Sequence, residues 1–250
     1  AGTSAYRMFL KKNNLADTRA FLLKRGIFLI VVEFLIVNTI IYFDSGFHNL
    51  LFEVIAAIGF GFIVLSFMLK LRLKTILLIG LLIVFLHDAL NAVPASAVKT
   101  LLAPLFGISQ FPLTGNSIMT IAYPPIPWLG IMLIGYATGS LFNMSPEKRT
   151  QIFKRIGWST LLGFVVLRSL NIYGDPSYWT HQKSATFTVL SFLNVSKYPP
   201  SLLFSMLTLG TMFLLLAYAG QFGQRISRIL SVYGSVPLFY FIIHFLIIHI

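Results

Sequence analysis

Among the polar or ionisable residues inside, or at the rim of, long apolar runs are Glu33, Asn38, His87, Arg168, Asn171 and His244. A charge in hydrocarbon is costly, so each is a functional candidate by default. Glu33 lies seven residues past Gly26, about 10 Å into its run at 1.5 Å per helical residue. His87 shares a helical face with Asn91 at i, i+4, and Arg168 with Asn171 at i, i+3; Tyr240 precedes His244 by one turn. A carboxylate or imidazole in such a place can take a proton during acyl transfer, and cationic or amide N–H groups can meet a developing oxyanion. Together these groups are expected to line one polar cavity. The structural alternative is a set of satisfied pairs that lock helices together, Glu33 with Arg168 for example. His87 and Asp88 are neighbours about 100° apart on a helix, so the spacing predicts no preformed dyad. His244 and His249 do not share a face as two metal ligands would, and no metal is expected. The chain has no GxSxG elbow, P-loop or dinucleotide fingerprint.

Two further features lie between the runs. Tyr123-Pro124-Pro125 and Tyr198-Pro199-Pro200 each lead into an apolar run, and proline's fit to the first turn of a helix accounts for the prolines. Lys197 stands just ahead of the second of these, where a cation opposes the helix dipole. An anion is expected beside it: a lipid phosphate, Asp175 or a ligand.

The elements that must position these groups are membrane helices. Of 250 residues, 57% are hydrophobic and 10% charged, and mean hydropathy is +0.84, more apolar surface than a soluble domain of this size can hide. Seven runs are long enough to cross a bilayer core of about 30 Å: 26–43, 51–69, 75–90, 126–142, 156–171, 202–219 and 232–250. The stub 1–10 reads as the tail of an earlier span, with the chain truncated at both ends. The run with Glu33 still inserts, because its 13 Ile, Leu, Val and Phe residues at about −0.3 to −0.6 kcal/mol each outweigh one acidic residue at about +2.5 to +3.5. Alternating the loops puts fifteen of the 19 Lys and Arg on one side and leaves only Lys99, Arg168, Lys183 and Lys197 on the other. The basic side is therefore expected to be cytoplasmic. That pattern explains the net charge of +12 without nucleic acid, which is not an expected partner. Two long connections, 88–125 and 172–201, lie on the opposite side, where chemistry is expected. The chain has no cysteine, so no thiolate or disulfide enters the reading. The expected fold is all-α: one polytopic transmembrane bundle over 1–250.

Five segments carry a family resemblance: FLLKRGIFLIVVEFLIVN over 21–38, PWLGIMLIGY over 127–136, Tyr173-Gly174-Asp175-Pro176, SFLNVSKYPPSLLF over 191–204, and Val236-Pro237-Leu238-Phe239-Tyr240. The chain resembles bacterial membrane proteins related to the catalytic domain of heparan-alpha-glucosaminide N-acetyltransferase. The resemblance implies a transmembrane acyltransferase that takes an acetyl group from cytosolic acetyl-CoA and delivers it to an extracytoplasmic sugar amine or hydroxyl. It also implies a multi-pass protein of the bacterial cytoplasmic membrane, with membrane lipids and a glycan acceptor as partners and homo-oligomerisation open. The family's proposed catalytic histidine would lie ahead of Ala1, so no histidine here inherits that role by motif. Among the residues present, His87 or Glu33 is expected to handle the proton, with Arg168 as a further catalytic group. Asn38, Asn171, Asp175, Lys197, Tyr198 and His244 are expected to hold substrate, and Lys24, Arg25, Arg72, Lys154 and Arg155 to meet the phosphates of the coenzyme. The alternative is a multi-pass transporter or a glycan or lipid flippase that uses the same buried charges.

Overall fold

The structure, a computed structural model, describes every residue except Ser45, Ala95, Thr114 and Ile250, together with the side chains of Asn91, Ala92 and His249. Its helices are α1 (Gly2–Lys12), α2 (Leu15–Val32), α3 (Asn38–Tyr42), α4 (Val54–Met68), α5 (Leu73–Leu86), α6 (Ala97–Phe106), α7 (Pro125–Thr138), α8 (Pro146–Leu170), α9 (Ala185–Leu193), α10 (Leu202–Tyr218), α11 (Gln224–Ser235) and α12 (Pro237–His249). This is the expected all-α bundle. The main packed pairs are α2 with α4, α5 with α7, and α8 with α10, and α1 lies against α7. Without a hydrophobic drive between helices in lipid, small residues that let backbones approach carry much of the association. At the α2–α4 crossing a Cβ on Gly26 would stand 2.6 Å from the Gly59 carbonyl oxygen, and one on Gly59 equally close to that of Gly26.

Among the described residues, three helical stretches are long and apolar enough to span a membrane: Leu73–Leu90, Pro125–Asn143 and Leu202–Gln221. A fourth is added if α11 and α12, bent by 80°, form one span. The seven expected spans are therefore not seven uninterrupted apolar helices. The expected run 26–43 is interrupted by a π segment, Glu33–Val37, and α4 has only 15 residues. α8 carries Lys154, Arg155 and Arg168 within its length. The faces turned away from the bundle are apolar, with Leu78, Leu82, Phe85 and Leu86 exposed on α5 and Trp158, Leu162, Val165 and Val166 on α8. Hydrocarbon, not water, is the solvent such faces suit.

The long connections hold structure that hydropathy did not signal. Strands β1 (Asn49–Phe52), β2 (Ser109–Pro112) and β3 (Ile118–Ile121) form a small sheet in the order β1-β3-β2. β1 and β3 are parallel, with Asn49 opposite Ile118, and β2 runs antiparallel to β3. The sheet ties the α3–α4 connection to the segment that enters α7.

Candidate functional site

The buried polar residues fall into separate sets, not the single cavity expected. The first is built on Glu33, which is fully buried. Its Oε2 accepts from the backbone N–H groups of Ile55 and Ala56, each at 3.0 Å, so the carboxylate caps the first turn of α4, where unpaired N–H groups and the dipole favour an anion. Asn38 fills the π segment: its amide donates to the carbonyls of Glu33 (2.9 Å) and Leu51 (3.0 Å) and accepts from the Leu51 N–H. Glu33 does not pair with Arg168.

Arg168, 2% exposed, instead donates to four backbone carbonyls: Phe192 (3.0 Å), Ser177 (2.7 Å), Ser191 (3.2 Å) and Asn194 (2.7 Å). Asn171 ends α8 in the left-handed region at φ 55° and exchanges two hydrogen bonds with the backbone of Trp179. Asp175 accepts from the Ser177 and Ser196 N–H groups and from the hydroxyls of Ser196 and Ser201. These three residues fasten the connection 172–201 onto the end of the bundle. Their polar atoms point into backbone and leave little capacity for substrate.

The third set joins α5 to the start of α10. His87 and Asp88 do approach, Nε2 to Oδ1 at 3.4 Å, against the expectation from helical spacing. The α-helix gives way to a 3-10 turn at His87–Ala92, and both side chains face the same helix start. His87 Nε2 lies 2.9 Å from the Pro200 carbonyl, its Nδ1 lies 3.0 Å from that of Ile83, and Asp88 accepts from the Leu202 N–H at 2.8 Å. Carbonyl oxygens stand at both ring nitrogens, so each polar edge of His87 faces backbone. The expected partner on its face, Asn91, has its side chain outside the described residues.

A fourth set has groups to spare. The tyrosines of the two Tyr-Pro-Pro segments meet: Tyr123 and Tyr198 share a hydroxyl–hydroxyl bond of 3.0 Å, with their rings edge-on at 5.0 Å. Tyr123 stacks on Trp128 at 5.2 Å. The Lys197 ammonium lies over the Tyr198 ring at 4.9 Å and the Tyr123 ring at 6.0 Å. Glu53, at the start of α4, feels the charge of Lys197 and of His244, so the anion expected near Lys197 is Glu53, whereas Asp175 is engaged elsewhere. Burial pushes the Tyr123 phenol up, and the Tyr198 hydroxyl adds to the effect. Burial acts on Tyr198 in the same sense, but Lys197 and Tyr123 more than offset it and hold that phenol below its ordinary value. Among the described residues, Glu53 Oε2, Trp128 Nε1 and His244 Nδ1 are buried with no hydrogen-bond partner, as are Glu33 Oε1, Asp88 Oδ1 and Ser205 Oγ elsewhere. Buried polar atoms are nearly always paired, so three in one neighbourhood mark a place built to receive polar groups.

Tyr123 and Trp128 also form one end of a cavity of about 490 Å³ that runs between α4, α7 and α10 to Phe142, Phe153 and Phe213. Apart from those end groups it is lined almost wholly by apolar residues, among them Ile131, Met132, Leu209 and Met212. At the far end Arg149 stacks on Phe142 at 5.4 Å, and Lys154, next to Phe153 in sequence, lies over Tyr218 at 4.7 Å. The five cations expected to meet phosphate therefore do not act as one group. Lys154 and Arg155 sit on the helix bordering this cavity, Arg25 lines a second cavity of about 530 Å³ beside α2 and α12, Lys24 is exposed on α2, and Arg72 is the residue that starts α5.

Glu53, Tyr123 and Trp128 were missed as site residues in the sequence. The repeated Tyr-Pro-Pro pattern is the available signal for Tyr123, since it matches the segment that carries Tyr198.

A family model described as heparan-alpha-glucosaminide N-acetyltransferase, catalytic, matches residues 1–183. That stretch contains Glu33, Glu53, Tyr123, Trp128, Arg168 and Asp175, while Lys197, Tyr198 and His244 follow it. No curated protein and no solved structure gives a match.

Proposed function

Because the chain belongs to the heparan-alpha-glucosaminide N-acetyltransferase catalytic family, a family of membrane acetyltransferases, we propose that it moves an acetyl group from cytosolic acetyl-CoA to a sugar amine or hydroxyl on the other side of the membrane. The basic end of the bundle is cytoplasmic in this reading, and the membrane is the bacterial cytoplasmic membrane. The observation that carries it is the apolar cavity with Lys154 and Arg149 near one end and the unpaired groups around Glu53 and Trp128 at the other. Between Trp128 and Phe142 the helix covers about 20 Å at 1.5 Å per residue, the scale a thin donor arm needs to reach across.

Acetyl-CoA, when bound, supplies the acyl group as an activated thioester. The residues present then have distinct tasks. Arg149, Lys154 and Arg155 neutralise phosphate at the cytoplasmic mouth, and the apolar wall keeps water from the reacting carbonyl. Tyr123, Trp128 and Tyr198 offer aromatic faces and hydroxyls to the acceptor sugar. As the acceptor's nitrogen or oxygen bonds to the carbonyl carbon and the carbon–sulfur bond breaks, Glu53 takes the acceptor's proton and passes it to the departing thiolate. Lys197 and the Trp128 N–H face the charge that develops on the carbonyl oxygen, and the unpaired His244 Nδ1 is left for the acceptor. Glu33, His87, Arg168, Asn171 and Asp175 keep the helix starts and the covering segment in register.

The test uses protein purified in detergent, acetyl-CoA labelled in the acetyl group, and glucosamine as acceptor. The proposal expects labelled N-acetyl product with stoichiometric release of free thiol. A transporter or flippase would consume no thioester, and that result would end the proposal.

A further inference from the structure

The catalytic reading makes no use of α11, a short amphipathic helix. Helical periodicity places Ile226, Ile229, Leu230 and Tyr233 on one face and Gln224, Ser227, Arg228, Ser231 and Ser235 on the other, with Arg225 on the flank. No residue of this helix is buried by the protein. The apolar face is open, with Ile226 52%, Leu230 54% and Tyr233 58% exposed.

The direction of the helix says what covers that face. Pro237 and Leu238, at the start of α12, line the same cavity as Arg25, near the basic end of the bundle. Leu238 and, further along, Phe241 and Phe245 pack with the Leu29–Val37–Ile55 cluster, and α12 lies against α3, away from the basic end. α12 therefore runs across the bundle from its basic end, and α11 is bent from it by 80°. That bend lays α11 across the basic end, close to the plane where a bilayer's headgroups meet its acyl chains. A short amphipathic helix with one arginine on the flank of its apolar stripe and another on its polar face suits that plane.

We propose that α11 is an interfacial helix that docks on anionic phospholipid of the cytoplasmic leaflet. Ile226, Ile229, Leu230 and Tyr233 enter the acyl boundary, and Arg225 and Arg228 bind lipid phosphate. The assignment requires only that the bundle spans a membrane and is independent of acetyl transfer. Docking would hold the start of α12 at a fixed depth, and with it the position of His244.

The chain has no cysteine, so single nitroxide labels can be placed without background. Labels at Ile226→Cys, Ser227→Cys, Ile229→Cys, Leu230→Cys, Ser231→Cys and Ser235→Cys are read by power-saturation spectroscopy. The protein is reconstituted in vesicles of phosphatidylcholine with phosphatidylglycerol. The proposal expects the ratio of oxygen to nickel-chelate accessibility to oscillate with a period of about 3.6 residues, highest at 226, 229 and 230. Uniform nickel accessibility would mean a helix in water and would overturn the proposal. Labels shielded from both reagents and dipolar-broadened between molecules would mean a second copy covers the face, and would overturn it as well. In the Arg225→Gln, Arg228→Gln background the docking equilibrium constant is expected to fall about fivefold per arginine in the anionic vesicles. No change would remove the anionic lipid from the proposal.

Discussion

Arg168→Met separates holding the site from doing the chemistry. Methionine keeps much of the length of the side chain and removes every donor. Four carbonyls, at Phe192, Ser177, Ser191 and Asn194, then lose a charged partner. Each such loss costs about 1–3 kcal/mol when water cannot replace the donor. The bonds are part-buried and lie at the end of the bundle, so water recovers a portion, and the net is about 3–5 kcal/mol. The loss is local, because the carbonyls belong to the segment 177–194 and not to the packed helices. Amide exchange is the assay: an opening free energy lower by about 3 kcal/mol speeds exchange roughly a hundredfold where it proceeds by local opening. Amides of 179–194 should exchange faster by about two orders of magnitude or more, while those of α5 and α7 keep their rates. Unchanged exchange across 179–194 combined with abolished acetyl transfer would refute the reasoning, because Arg168 would then be acting on substrate.

Other outcomes follow from the same geometry. Glu33→Leu leaves the Ile55 and Ala56 N–H groups unpaired and should lower stability by about 2–4 kcal/mol, whereas Glu33→Gln keeps an acceptor there and should cost about 1 kcal/mol or less; thermal unfolding in detergent distinguishes them. Lys197→Met removes the cation that helps the Tyr198 phenolate form, so that phenol should hold its proton to higher pH, measured as phenolate absorbance against a Tyr198→Phe reference. Gly59→Val sets a branched side chain 2.6 Å from the Gly26 carbonyl oxygen and should separate α2 from α4, seen as lost thermal stability, while a change on the open face of α5, Leu82→Val, should be nearly neutral.

The bundle was legible because apolar run length and the placement of Lys and Arg both report on lipid. Span count was less so: hydropathy does not register the π segment after Glu33 or the bend between α11 and α12. The three strands were hidden because four-residue segments pair through tertiary placement, with too little length for periodicity. Glu33, His87 and Arg168 stood out as costly to bury, and each proved to be buried, but their partners include backbone groups far along the chain: 22 residues for Glu33 to Ile55, 24 for Arg168 to Phe192, 113 for His87 to Pro200 and 114 for Asp88 to Leu202. Spacing along one helix cannot find such partners. Glu53 lies at the rim of the expected run 51–69, and nothing in its local sequence sets it apart; only the fold brings Lys197 and His244 into its field.

The most direct test of the central claim is the turnover of Glu53→Gln in labelled acetyl transfer, with its thermal unfolding measured alongside. If Glu53 takes the acceptor's proton, turnover should fall by about 10² to 10⁴ while the protein remains folded. Wild-type turnover in folded Glu53→Gln would contradict the claim that this cluster performs the transfer.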